Sequence, residues 1–225
     1  MSVEAEVEAA SPLPVAFYER PVVEVARDLV GCVLSYGETS GVIVETEAYH
    51  ESEAACHAYV GLTRRTATLF GAPGTAYVYR SYGIHALVNA VCEHEGVGAA
   101  VLIRALQPLT GVELMRERRG AAARLPGLAG ERALCSGPGK LTIALDIELR
   151  DNQSSLVAGP ITVSGRPRGW REVAIVADRR IGITKAAELP WRFCAAGSRY
   201  LSRPVTSAAE SGATGPAAAT PGCRA

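Results

Sequence analysis

The chain has 225 residues, 48% of them hydrophobic, enough for one domain with a real core or for two small ones. No apolar run approaches the length of a membrane span, and no charged segment followed by an apolar one opens the chain, which argues against a membrane protein and against secretion. The formal net charge of zero hides a gradient: residues 1–60 carry 2 basic and 11 acidic side chains, residues 61–149 carry 10 and 7, and residues 150–205 carry 10 and 4.

The cations are almost all arginine, with Lys140 and Lys185 the only lysines. Arginine forks match phosphate oxygens, so part of the surface is suited to a polyanion although the whole is neutral. A base composition rich in arginine codons produces the same bias. The cysteines Cys32, Cys56, Cys92, Cys135, Cys194 and Cys223 are scattered and lack a Cys-x-x-Cys pair. Reduced thiols and a cytoplasmic location are therefore expected. His50, Cys56 and His57 fit no standard zinc spacing, and no metal or cofactor is expected.

In chain order, residues 1–13 are small and acidic and are expected to be disordered. Pro21 opens a helix in which Val22, Val25, Ala26 and Leu29 recur at helical spacing, and Gly31 ends it. Cys32–Tyr36 and Gly41–Tyr49 read as two strands of a hairpin. Residues 50–74 have no clear period and form a long loop, a feature more often functional than not in a compact domain. Strands are expected over residues 75–80, 84–92 and 99–106. Pro108 is expected to open a helix running to Arg119. Residues 120–130 read as an Ala/Gly loop, Ser136-Gly137-Pro138-Gly139-Lys140 as a helix start, and residues 161–163 and 173–176 as late strands. From Thr206 onward the composition is of low complexity and need not fold. The expected architecture is α+β: a single mixed domain over residues 14–205, with a curved, mainly antiparallel sheet and surrounding helices.

The stretch with most chemistry is Ile43-Val44-Glu45-Thr46-Glu47-Ala48-Tyr49. Alternate residues of a strand share a face, so Glu45, Glu47 and Tyr49 point one way. Carboxylates and a phenol on one face suit the lining of a cleft, or else a solvated edge strand. Tyr77, Tyr79 and Tyr82 are three phenols in six residues; Tyr77 reads as packing, whereas Tyr79 and Tyr82 suit stacking on a nucleobase or wedging between base steps. Asn89 and Arg104 are polar residues inside apolar strands and must find partners. Ser136 to Lys140 at a helix start is a weak phosphate-binding signal and is not a Walker motif.

Taken together, Arg27-Asp28-Leu29-Val30-Gly31, Glu45-Thr46-Glu47-Ala48-Tyr49, His57, Gly74-Thr75-Ala76-Tyr77-Val78-Tyr79, Tyr82-Gly83, Asn89, Leu102-Ile103-Arg104-Ala105-Leu106 and Ser136-Gly137-Pro138-Gly139-Lys140 stand in an order that resembles the alkyladenine (N-methylpurine, 3-methyladenine) DNA glycosylase family, from about Phe17 to Arg203. The resemblance implies a monofunctional enzyme of base excision repair, acting as a monomer on double-stranded DNA. It would flip out an alkylated or otherwise damaged purine (3-methyladenine, 7-methylguanine, hypoxanthine, ethenoadenine) and leave an abasic site.

By the same resemblance Glu47 is the general base and Arg104 its orienting partner. Tyr49, His57 and Tyr79 wall the base pocket, Asn89 discourages guanine, and Tyr82 fills the gap in the duplex. Arg65, Ser136, Gly137 and Lys140 fall where the family approaches the DNA backbone. No lysine lies near the glutamate motif in sequence, which disfavours a Schiff-base step. Thr66 and Leu69 depart from the Asn and Met common in the family, which bears on loop contacts and substrate range. Two other readings remain open here: a non-catalytic sensor of damaged DNA, and a glycoside hydrolase with Glu45 and Glu47 as its acid pair.

Overall fold

The computed structural model describes residues 11–81, 83–123 and 125–206. Expectations for residues 1–10, for Tyr82 and for residues 207–225 fall outside them. Within the N-terminal segment, Pro12 bridges Ser164 and the Leu13 N–H donates to Val163 O at 2.7 Å.

The fold is built along one long strand. β1 (Val33–Tyr36) and β2 (Thr39–His50) form a hairpin across a two-residue turn, in which Gly37 takes the left-handed conformation (φ +55°) that a residue with a Cβ rarely adopts. β2 pairs along one edge with β5 (Ala99–Thr110), from Ser40 to His50. Its other edge is shared: residues 39–42 pair with β1, and residues 45–47 with β8 (Arg192–Ala195). β3 (Ala76–Ser81), β4 (His85–Val91), β6 (Ile161–Ser164) and β7 (Ile175–Asp178) complete an open, antiparallel sheet of eight strands. The order is β3-β4-β5-β2-β1-β6, with β8 joining β2 to β7. The α+β single-domain architecture is as expected.

Helices α1 (Val15–Tyr18), α2 (Val22–Leu29), α3 (Val112–Arg119), α4 (Gly127–Cys135) and α5 (Pro138–Leu145) pack around it. α2 buries Val22, Val25, Ala26 and Leu29, the stripe its spacing predicts. The main core joins these to Leu34, Ile43, Val88, Val101, Ile103, Leu134, Leu141 and Leu145. Each such side chain contributes about 1.5–3 kcal/mol by leaving water.

Several boundaries differ from expectation. Pro108 does not open a helix. It extends β5, opposite Gly41, and α3 begins at Val112. Pairing along β2 overrides the helix-start preference of proline. Residues 127–130, expected in a loop, open α4 instead, and β8 was unforeseen: Arg192-Phe193-Cys194-Ala195 is short and opens on a cation, so only its partners β2 and β7 define it as a strand.

Besides a register shift between Ser40 and Gly41, two compensating bulges interrupt the β2–β5 pairing. From Ile43 to Glu45 the chain takes two steps while β5 takes one, leaving Val44 extra; from Glu45 to Thr46 it takes one step while β5 takes two, leaving Arg104 extra. The first irregularity lets Ile43 and Val44 both enter the main core, which strict alternation forbids. Beyond it Val44, Thr46 and Ala48 face the helices, with Thr46 Oγ1 donating to Ala26 O at 2.6 Å. Glu47 and Tyr49 are thereby turned to the opposite face.

That opposite face is covered by residues 50–74. They contain two 3₁₀ turns, His57–Val60 and Ala67–Phe70, and with Tyr49, Tyr77, Tyr79, Val91 and Ala100 they form a second, smaller apolar cluster. Gly98 is where they meet the sheet: a Cβ there would lie 2.5 Å from Ala58 Cβ and 2.8 Å from a ring carbon of Phe70. Gly98→Ala is therefore expected to lose about 1–3 kcal/mol to overpacking, read as a lower midpoint in urea denaturation.

Candidate active site

Strand register assembles the site. Tyr77 stands opposite Asn89, Asn89 opposite Leu102, and Leu102 opposite Glu47, one row across β3, β4, β5 and β2. Neighbouring strands lie about 4.8 Å apart, so the row spans about 14 Å of backbone. The next positions, Tyr79 with Leu87 and Tyr49 with Ala100, flank it. A cavity of about 760 Å³ opens over this face, within the ~300–1,000 Å³ usual for small-ligand sites. Tyr49, His57, Tyr79 and Asn89 line it, as do Arg65, Arg104, Gly137 and Lys140.

Glu47 is fully buried and is not itself a lining residue; it lies one layer behind Tyr49, Arg104 and Ile181, which line the cavity and bond to its carboxylate. Its Oε2 accepts from Tyr49 Oη at 2.8 Å and from Arg104 Nη1 at 3.1 Å; its Oε1 accepts from the Ile181 N–H at 2.7 Å. Burial pushes its pKa up from the ordinary 4.5, while Arg104, the Ile181 N–H and the Tyr49 hydroxyl pull the other way. Three donors leave a carboxylate room for one more, such as a water. The Tyr49 phenol is held protonated by burial and by the Glu47 charge beside it, so it remains a donor.

Arg104 has its buried partners. Nε meets Glu45 Oε1 at 3.2 Å while Nη1 reaches Glu47. Glu45 is not a second acid of a catalytic pair. It is fully buried and accepts from Arg104 Nε, from Arg192 Nε at 2.7 Å, and from the backbone N–H and hydroxyl of Ser202 at 2.6 and 2.8 Å. A saturated structural carboxylate leaves the glycoside-hydrolase reading without its second group.

The aromatic residues divide their work. Tyr77 stacks on Tyr79 with centroids 5.2 Å apart, and the His57 ring meets Tyr79 edge-on at 4.8 Å. Tyr77 is packing, as read from sequence, but it also borders the cavity and its hydroxyl lies 3.3 Å from His57 Nδ1. Burial, then the nearby Arg65, lower the His57 pKa and favour the neutral imidazole at pH 7. The Asn89 amide donates to Tyr77 O at 3.0 Å, which fixes its orientation on the cavity wall.

Of the other lining residues, Arg65 and Lys140 are exposed, Arg119 is half-buried and Gly137 is buried. Ser136 is not among the lining residues; it is buried and bridges Ala105 in β5. Gly139 lets the start of α5 approach β4, since a Cβ there would sit 2.8 Å from His85 Cβ. The fold brings Lys140 to the cavity although no lysine is near Glu47 in sequence, so sequence distance alone does not exclude a Schiff base there. Tyr82 lies outside the described residues. Among the described residues no group of His, Cys, Asp and Glu is arranged to hold a metal ion.

One wall was not foreseen. Ile181, Gly182 and Ile183 line the cavity, and the Ile181 N–H binds Glu47. Residues 179–183 have no strand or helix period, and their only signal was the arginine bias, read as suited to phosphate. Several of these arginines turn inward instead: Arg166 donates to Val30 O at 2.8 Å and to Asp28 O at 3.1 Å, Arg180 pairs with buried Glu53, and Arg192 with Glu45 and Asp178.

Arg192 is 1% exposed and is shared by two buried carboxylates. Arg192→Met would leave both without it, which is expected to cost about 3–5 kcal/mol, measured as loss of stability in urea.

The methylpurine-DNA glycosylase (MPG) family model matches residues 16–199. Relatives named "Putative 3-methyladenine DNA glycosylase" include one from Nitrobacter winogradskyi, 52% identical over 197 residues (88% of this chain, 90% of its own). One from Methanoculleus marisnigri is 50% identical over 196 residues (85% and 98%), and one from Rubrobacter xylanophilus 52% over 179 residues (76% and 87%). The chain belongs to the methylpurine-DNA glycosylase family and is, with it, a DNA glycosylase, a hydrolase of N-glycosidic bonds.

Proposed function

We propose that this glycosylase draws a damaged purine nucleotide out of duplex DNA into the cavity above Glu47 and hydrolyses its glycosidic bond, leaving an abasic site. The observation that carries this reading is a buried carboxylate, oriented by Arg104, the Ile181 N–H and the Tyr49 hydroxyl, beneath a cavity walled by aromatic rings. A target atom inside the duplex has to leave the stack before water can reach it. Glu47 takes a proton from a water that attacks the anomeric carbon, and the purine departs with the bonding pair. Arg104 keeps Glu47 aimed and ionised.

An alkylated purine that is already cationic leaves without further protonation. The base is bounded by Tyr49, Tyr79 and His57, with Asn89 set against the exocyclic amino group of guanine. Tyr82, which falls between β3 and β4 in the sequence, is the candidate wedge. Arg65, Gly137 and Lys140, joined by Arg119 on the cavity lining, are candidates for the DNA backbone; Ser136 supports them through its bridge to β5. In this reading Lys140 is a phosphate contact and water is the nucleophile, so the enzyme is monofunctional. A pure damage sensor has no use for a buried carboxylate held by three donors.

Glu47→Gln is expected to keep binding to duplex containing an abasic-site analogue and to lose base release by 10²-fold or more, on the order of a general-base contribution. The assay is strand breakage at the lesion, which in the wild type should need alkali. The wild-type rate should fall as pH drops through a carboxylate pKa above 4.5, the sign set by a base that must be ionised and that burial makes easier to protonate. Asn89→Ser should raise excision of guanine-type bases relative to hypoxanthine; an unchanged ratio in oligonucleotide competition would reject the gate.

A further inference from the structure

The rear of the Tyr49 ring is covered by a cation. Arg180 Cζ lies 4.7 Å from the ring centroid, and 5.5 Å from that of Trp191. The guanidinium is fully buried and pinned by four oxygens: Glu53 Oε1 at 2.6 Å, Glu53 Oε2 at 3.0 Å, Ala48 O at 2.9 Å and Ala186 O at 3.1 Å. Arg180 is not among the cavity-lining residues whereas Tyr49 is, which leaves the ring face opposite the guanidinium for the cavity.

An aromatic face attracts cations through its π electrons. A guanidinium against one face draws that density toward itself and adds like-charge repulsion across the ring. Both effects weaken the other face for a positively charged ligand and matter much less for a neutral one. Glu53 balances the pair, so what reaches the cavity is a short-range polarisation rather than a full charge.

We propose that Arg180, balanced by Glu53, is a specificity-determining residue: packed behind Tyr49, it weakens the attraction of the pocket for cationic alkylated purines and so narrows the preference between cationic and neutral damaged bases. The inference rests on the reading above that the base packs against Tyr49. Arg180 is also a positioning residue, because its own ring contact holds Tyr49 and its successor Ile181 supplies the N–H on Glu47. Loss of positioning lowers both rates together, so only their ratio reports on specificity.

The test is single-turnover excision of 7-methylguanine, cationic, and hypoxanthine, neutral, from otherwise identical duplexes. Arg180→Gln with Glu53→Gln removes both charges and should raise the cationic-to-neutral rate ratio about three- to tenfold. Glu53→Gln alone leaves the guanidinium unbalanced and should lower that ratio, which keeps the proposal falsifiable if the double variant does not fold. A ratio that stays within about twofold of wild type in the variants that fold, or that moves in the opposite direction, overturns the proposal and leaves Arg180 a structural residue. Wild-type protein that excises neither base would instead overturn the proposed function, and this inference with it.

Discussion

One buried guanidinium, held between two carboxylates of the same strand, is the constraint on which the rest of this protein depends. Arg104 reaches Glu45 with Nε and Glu47 with Nη1, at a position where the β2–β5 pairing carries an extra residue. A regular strand would send residue 104 wholly to one face, without the bend that a bulge provides. The irregularity and the ion pairs sustain one another. Three buried charges tolerate this only because further donors complete the set: Arg192 and Ser202 on Glu45, Ile181 and Tyr49 on Glu47.

From that centre the structure separates two carboxylates of like chemistry into different duties. Glu45 is sealed by donors from β8 and from Ser202, near the end of the described chain, and works as an anchor. Glu47 keeps acceptor capacity and lies below the cavity. The distinction is one of hydrogen-bond saturation rather than of residue type, since both glutamates are fully buried. The segment around Ile181 links the two sides of the site, because it touches Glu47 through its backbone and Tyr49 through the neighbouring Arg180.

The arginine content also divides by place. Arg65 and Arg119 line the cavity, the first exposed and the second half-buried, whereas Arg104, Arg180 and Arg192 are buried and paired. The charge gradient along the chain therefore contains, besides exposed arginines, cations that neutralise buried acids. Acidic residues gather in the first 60 residues and several of their arginine partners in the last quarter. Folding brings the two ends of the gradient together, as Glu53 with Arg180 and Glu45 with Arg192 make plain.

By itself the sequence determined the strand and helix periods, the α+β class, the apolar stripe of α2, and the motif order that marks the family, because local alternation and motif order do not depend on distant partners. It also separated Asn89 and Arg104 from their apolar surroundings as residues in need of partners. Only the tertiary structure decided that Pro108 extends a strand, that residues 192–195 form one, that Glu45 is an anchor, and that Lys140 and Ile181 stand at the cavity. Each of these depends on a contact made across long sequence separation, on a bulge that resets which face a residue meets, or on a buried cation finding its counter-charge. A pattern read along the chain contains none of those distances.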